Sequence, residues 1–209
     1  MKRIISFIMV TLLTVVSALA NIAEGVSGDC NWVIDNDGNL TISSESDDIA
    51  DLGTWVGDSA PWSNYRDSIT TVVFSSPVNA KTCAYMFKGC SNLNAVYLDN
   101  FYTNEVTDMS FMFAGCTSLE VIEFDMAMSA QDEMFSQSRD NFLTGNVTNM
   151  AGMFEGCKSL QSFFLQNLDI HSVTNFSDMF AGCSSLDNMN ITVNKNANGS
   201  SLTAINDIE

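Results

Sequence analysis

The stretch MFKGC occupies Met86–Cys90, and MFAGC, MFEGC and MFAGC follow at Met112–Cys116, Met153–Cys157 and Met179–Cys183. The four cysteines stand 26, 41 and 26 residues apart, so a unit of 26 residues repeats and its middle interval carries extra sequence. The extra segment can be located, because DNFYT at Asp99–Thr103 before one motif matches DNFLT at Asp140–Thr144 before the next. The insertion is therefore Asp125–Arg139. A residue that recurs at every period belongs to the architecture before it belongs to a site.

Each unit has the same internal pattern. Met109, Met112 and Phe113 fall at i, i+3 and i+4, the spacing of one side of a helical turn. Thr107 or Asp108 can cap such a turn, and Gly115 can end it in a positive-φ conformation. Val147–Gly156 and Val173–Gly182 repeat the plan. After each glycine comes Cys-x-x-Leu-x-x-apolar-x-apolar, as in Leu93, Val96 and Leu98 or Leu119, Ile122 and Phe124. The last two positions alternate as a short strand with one buried face does. A unit this small cannot bury its apolar side alone, so copies must stack and share a core. The expected fold class is an α/β repeat solenoid: about four stacked units, each a helical turn and a short strand, capped at the N-terminus by a small β module.

That module is read from residues 21–77. Asn31–Asp35 and Asn39–Ser43 flank an Asp37-Gly38 turn, which predicts a β-hairpin. A calcium loop built on Asp35, Asp37 and Asn39 is the alternative, but its glycine stands two residues too early for an EF-hand and no Glu follows at the twelfth position. Trp32, Trp55 and Trp62 are expected to pack the hairpin onto the first rung of the repeat.

The N-terminus reads as an export signal. Met1-Lys2-Arg3 is basic, Ile4–Val16 is almost wholly apolar, and Ala18-Leu19-Ala20 offers the small-x-small pattern of a cleavage site, so residues 1–20 are expected to be removed. No membrane span is expected after that cleavage. The chain has 25 acidic and 8 basic residues and a net charge of −17. Such a field repels phosphate backbones, which argues against nucleic acid as a partner.

The six cysteines permit several readings. Zinc would call for Cys or His in close pairs, but there is no CxxC and His171 is the sole histidine, so neither metal nor cofactor is expected. Cys90, Cys116, Cys157 and Cys183 share one phase of the repeat and read as an internal ladder of small apolar thiols. Cys30 with Cys83 is the one disulfide candidate outside it. A Ser-His-Asp triad would have to use His171, whose place in neighbouring periods is taken by Asn104 and Gly145, so no enzyme is expected; a hydrolase is the less favoured alternative.

Binding is the stronger class. Between the buried strand positions, Tyr97, Glu123, Phe164 and Asn190 are expected to point outward in one column, beside Ala95, Val121, Ser162 and Asn188. Met134 and Phe135 in the insertion form a second candidate contact, because loop insertions in solenoids project from one edge.

The repeat also carries a resemblance. VTNMAGMFEGCKSL at Val147–Leu160 resembles the unit of BspA-like leucine-rich repeat surface proteins, and the likeness extends over residues 78–191. Ser27–Cys30, Trp32–Ser43, Ala60–Trp62 and Ile69–Phe74 are similar to the module that often precedes such repeats. The resemblance implies a secreted or cell-surface protein of a host-associated microbe that binds a protein or glycan, host-derived ones included. A structural or truncated relative of larger adhesins, with no ligand of its own, is the alternative. Residues 192–209 are polar, lack the rung pattern and read as a disordered tail.

Overall fold

The computed structural model describes residues 20–46, 48–123, 142–161 and 168–186. Residues 1–19 of the expected leader 1–20, the insertion 125–139 and the expected tail 192–209 lie outside the described residues.

The described residues open with β1 (Ala23–Ser27), β2 (Cys30–Ile34) and β3 (Asn39–Ser43), paired antiparallel. Cys30, Trp32 and Ile34 alternate inward on β2, and Leu40 and Ile42 do so on β3. The turn between β2 and β3 is held by Asp35, whose Oδ1 accepts from the backbone N–H groups of Asp37 and Asn39 at 2.9 Å each. The Asp35 carboxylate is thus occupied by its own hairpin.

From β3 onward the pairing turns parallel. β3 pairs with β5 (Thr71–Phe74), β5 with β7 (Ala95–Tyr97), and β7 with β9 (Val121–Glu123). A second parallel sheet stacks β4 (Ala50–Asp51), β6 (Val78–Asn79) and β8 (Phe101–Tyr102). The pentapeptide segments form a third side of each coil, tied by bridges from Asp108 to Asn149 and from Asn149 to Asn175. The six-stranded sheet runs in the order β1-β2-β3-β5-β7-β9, so the hairpin and the coils share one surface.

The expected helical turn around each motif is corrected by the structure. Among the described residues the one helical element is a short 3-10 stretch over Ser63–Ser68. The reason lies in the backbone hydrogen bonds. Tyr85, Phe87 and Gly89 donate to Ser110, Met112 and Ala114 of the next coil, while Met86, Lys88 and Cys90 donate three residues back to Cys83, Tyr85 and Phe87. Every second N–H is spent on the neighbouring coil, which leaves no continuous i→i−4 ladder for an α-helix. The same alternation recurs at Phe111–Cys116 and Gly152–Cys157. The residues expected to cap the helix instead close short turns: Asp108 Oδ1 accepts from Ser110 N–H at 2.8 Å, and Asn149 Oδ1 from Ala151 N–H at 3.2 Å.

The core is a column of rings. Trp62 stacks on Phe87 at 5.8 Å, Phe87 on Phe113 at 5.6 Å, Phe113 on Phe154 at 5.5 Å and Phe154 on Phe180 at 5.4 Å. Burying each ring contributes about 2–3 kcal/mol, and the ring-ring contact adds about 0.5–1.5 kcal/mol. The motif glycines form a second column: a Cβ on Gly115 would lie 3.6 Å from Gly89 Cα, one on Gly156 3.7 Å from Gly115 Cα, and one on Gly182 3.5 Å from Gly156 Cα. The coils flanking the 41-residue interval stack directly on each other, with Phe101 and Phe142 rings 6.2 Å apart and Thr103 Oγ1 donating to Leu143 O at 2.7 Å.

Candidate functional site

The strand register places outward residues in a row across the six-stranded sheet. Glu24 pairs with Val33, Val33 with Thr41, Thr41 with Val73, Val73 with Tyr97, and Tyr97 with Glu123. Val33, Thr41, Val73 and Tyr97 are half-buried, whereas Glu24 and Glu123 are exposed. Of the residues singled out from the sequence, Tyr97 and Glu123 stand in this row. Ala95 does not offer the expected outward contact, being only 9% exposed. Val121 beside it is 38% exposed. Phe164, Asn190, Met134 and Phe135 lie outside the described residues.

Sequence reasoning confined the surface to the repeats and missed Glu24, Val33, Thr41 and Val73. Their signal was the hairpin's alternation, but that pattern alone does not say that β3 would pair parallel to β5 and align the hairpin's outer face with the rungs.

A hollow of about 460 Å³ lies beside the ends of β2 and β3, lined by Asp29, Asn31, Ser44, Glu45, Ser46 and Asp48 among others. Among the described residues no group of three or more His, Cys, Asp or Glu side chains is placed to hold a metal ion.

The pentapeptide side carries a feature that residue types did not announce. Tyr85, Phe111, Gly152 and Asp178 occupy equivalent places and all have positive φ, at 60°, 55°, 59° and 57°. For the bulky members this left-handed backbone costs about 1–2 kcal/mol each. The Tyr85 and Phe111 rings stack 5.2 Å apart, and Lys88 Nζ lies 5.1 Å from the first ring centroid and 5.7 Å from the second. Phe111 also covers Gly152, where an added Cβ would fall 2.3 Å from the ring.

The cysteines are structural. All six are buried and free, so the Cys30–Cys83 disulfide candidate is not formed; Cys30 Sγ instead lies 3.6 Å from the Asp51 carbonyl oxygen. In the ladder, Cys116 Sγ donates to Phe87 O at 3.1 Å, Cys157 to Phe113 O at 3.2 Å and Cys183 to Phe154 O at 3.0 Å. Burial pushes the Cys90 thiol up to about 12 and the Cys183 thiol up to about 11. Neutral thiols of this kind are poor nucleophiles. His171 Nδ1 lies 2.6 Å from Asp169 Oδ1 in an exposed turn, and this contact holds the Asp169 carboxyl below its usual range.

The comparisons with known proteins bear on this coil stack. Residues 75–126 and 122–206 match the family described as "Mycoplasma protein of unknown function, DUF285". The chain belongs to this DUF285 family. A crystal structure of a leucine-rich repeat protein from Eubacterium ventriosum ATCC 27560 is similar, at 19% identity and a TM-score of 0.38, over 80% of this chain and 43% of that one. The chain thus spans less than half the length of that protein. No curated protein matches the chain. Among the described residues of this DUF285 chain, no helix is long and apolar enough to cross a membrane.

Proposed function

We propose that this chain is a secreted or surface-exposed, non-catalytic binding module of the BspA-like repeat kind, and that its six-stranded sheet contacts a protein or glycan. The MFxGC units supply the scaffold, since their Met, Phe and Cys side chains are spent on the core. The observation that carries the reading is the row from Glu24 to Glu123, in which half-buried Val33, Thr41, Val73 and Tyr97 present apolar and aromatic surface on a rigid face. Aromatic groups in the middle of a flat patch, ringed by polar residues, are the usual energetic centre of a protein contact. The leader at residues 1–20 and the acidic composition agree with export and with a partner that is not a nucleic acid.

The test is a screen of the exported chain against matrix proteins and glycans, repeated with Tyr97→Ala and with Val73→Asp. Loss of binding in both variants, with unchanged folding, is the expected result. Binding that survives both removes the sheet as the contact surface, and the absence of any binder leaves the structural alternative.

A further inference from the structure

The charges on the coil stack are segregated. The described cations Arg66, Lys81, Lys88 and Lys158 all stand outside the strands, and three of them are already paired: Arg66 and Lys88 with Asp58, and Lys81 with Asp51. The described strands carry no Lys or Arg, so no cation of theirs offsets the carboxylates of Glu24 and Glu123 at the ends of the described row. Between those carboxylates lie five strand-to-strand steps, a distance of about 24 Å at about 4.8 Å per step. Val33, Thr41, Val73 and Tyr97 between them are uncharged and half-buried, so the described stretch of the row has an uncharged centre with a carboxylate on either side of it.

Resting on the reading of the sheet as a binding face, we propose that the row docks a basic segment of another protein, laid across the strands along the stack axis. Its apolar side chains meet Val73 and Tyr97, and its Lys or Arg side chains reach Glu24 and Glu123. The apolar centre supplies affinity, while the separated carboxylates steer and orient the segment. The net charge of −17 raises the local concentration of a cationic partner and opposes an anionic one or a second copy of this chain. A neutral glycan gains no charge attraction from these carboxylates.

The probe is an extended peptide of about nine residues, Lys-Lys-Val-Thr-Leu-Thr-Val-Lys-Lys, long enough to span the row at about 3.4 Å per residue. Its controls are the same peptide with Glu for Lys and a neutral oligosaccharide, maltohexaose. The full chain is titrated with each by fluorescence anisotropy or calorimetry, and folding of every variant is checked by circular dichroism. The basic peptide is expected to bind, and to weaken by about tenfold in Glu24→Lys with Glu123→Lys and in Tyr97→Ala. The off-sheet pair Glu105→Lys with Glu155→Lys should change it by less than about twofold. No binding of the basic peptide, or an equal loss in the off-sheet pair, overturns the proposal. Oligosaccharide or acidic-peptide binding that Tyr97→Ala abolishes overturns the basic partner while leaving the sheet as the contact face. Ligands indifferent to Tyr97→Ala and Val73→Asp overturn both readings.

Discussion

Trp62 Nε1–H donates to the Met86 carbonyl oxygen at 2.8 Å. In later coils the equivalent carbonyls of Met112, Met153 and Met179 take backbone N–H groups from Phe87, Phe113 and Phe154. Trp55 Nε1–H does the same for Ala84 O at 2.8 Å, a place whose counterpart, Ser110 O, accepts from Tyr85 N–H. Two indoles therefore stand in for the backbone of an absent preceding coil and close part of the first coil's open ladder. Trp62 also begins the ring column, so one side chain supplies both the hydrogen bond and the first layer of the core.

This dual role separates two substitutions. Trp62→Phe keeps a ring over Phe87 but leaves the Met86 carbonyl without its donor, at a cost of about 1–3 kcal/mol. Trp62→Ala also removes the layer and is expected to cost about 3–5 kcal/mol. Urea unfolding monitored by circular dichroism measures both. A silent Trp62→Phe would show that the N–H is not part of the cap.

Two glycines with similar backbones are expected to respond differently to alanine. Gly115 has φ of 77° and room for a Cβ at 3.6 Å from Gly89 Cα, so Gly115→Ala pays the left-handed conformation alone, about 1–2 kcal/mol. Gly152 has φ of 59° and the Phe111 ring 2.3 Å from its Cβ position, so Gly152→Ala must also displace the ring and should cost more. In a Phe111→Ala background the Gly152→Ala cost should fall to that of Gly115→Ala. A double-mutant cycle reads the coupling, and additivity would refute the ring-over-glycine contact.

The buried thiols make alkaline stability fall in a defined window. Cys30 and Cys183 are raised to about 11 and Cys90 to about 12, each chiefly by burial, whereas an unfolded thiol titrates near 8.5. A raised folded pKa contributes stability that is complete below the unfolded value. It is lost as pH rises from about 8.5 toward 11–12, because only the unfolded chain releases those protons in that window. Unfolding free energies measured from pH 7 to 10 should therefore decline. A thiol reagent at pH 8 should label the native protein at the rate of unfolding, and rapid labelling of the ladder in the folded state would contradict the burial.

Asp35 gives the opposite sign at acid pH. Hydrogen bonds from the Asn39 side chain, and then from the Asn39 backbone, hold its carboxyl below the usual range. A lowered folded pKa contributes stability above about pH 4, lost as pH falls further. The stability difference between the parent and Asp35→Ala should therefore shrink from pH 6 to pH 3. A difference independent of pH would mean that the carboxylate does not hold the hairpin turn.

The sequence by itself determined the period, the inward Met, Phe, Cys and Leu positions and the hairpin at Asp37-Gly38, because these follow from spacing and from the conformational range of single residues. It did not determine the backbone of the repeat. The i, i+3, i+4 spacing of Met109, Met112 and Phe113 fits a helical turn as well as a chain that alternates local and inter-coil hydrogen bonds, and only the neighbouring coil's carbonyls select the second. The left-handed backbone at Tyr85 and Phe111 has no signature in residue type, since aromatic side chains ordinarily avoid it and the stack imposes it, whereas Asp178 is of a type that tolerates it. The candidate site divides in the same way. Tyr97 and Glu123 were legible from strand alternation, but their continuation through Val73, Thr41 and Val33 to Glu24 depends on parallel pairing between β3 and β5. That pairing is a contact between distant parts of the chain, set by which buried faces meet and not by any local pattern.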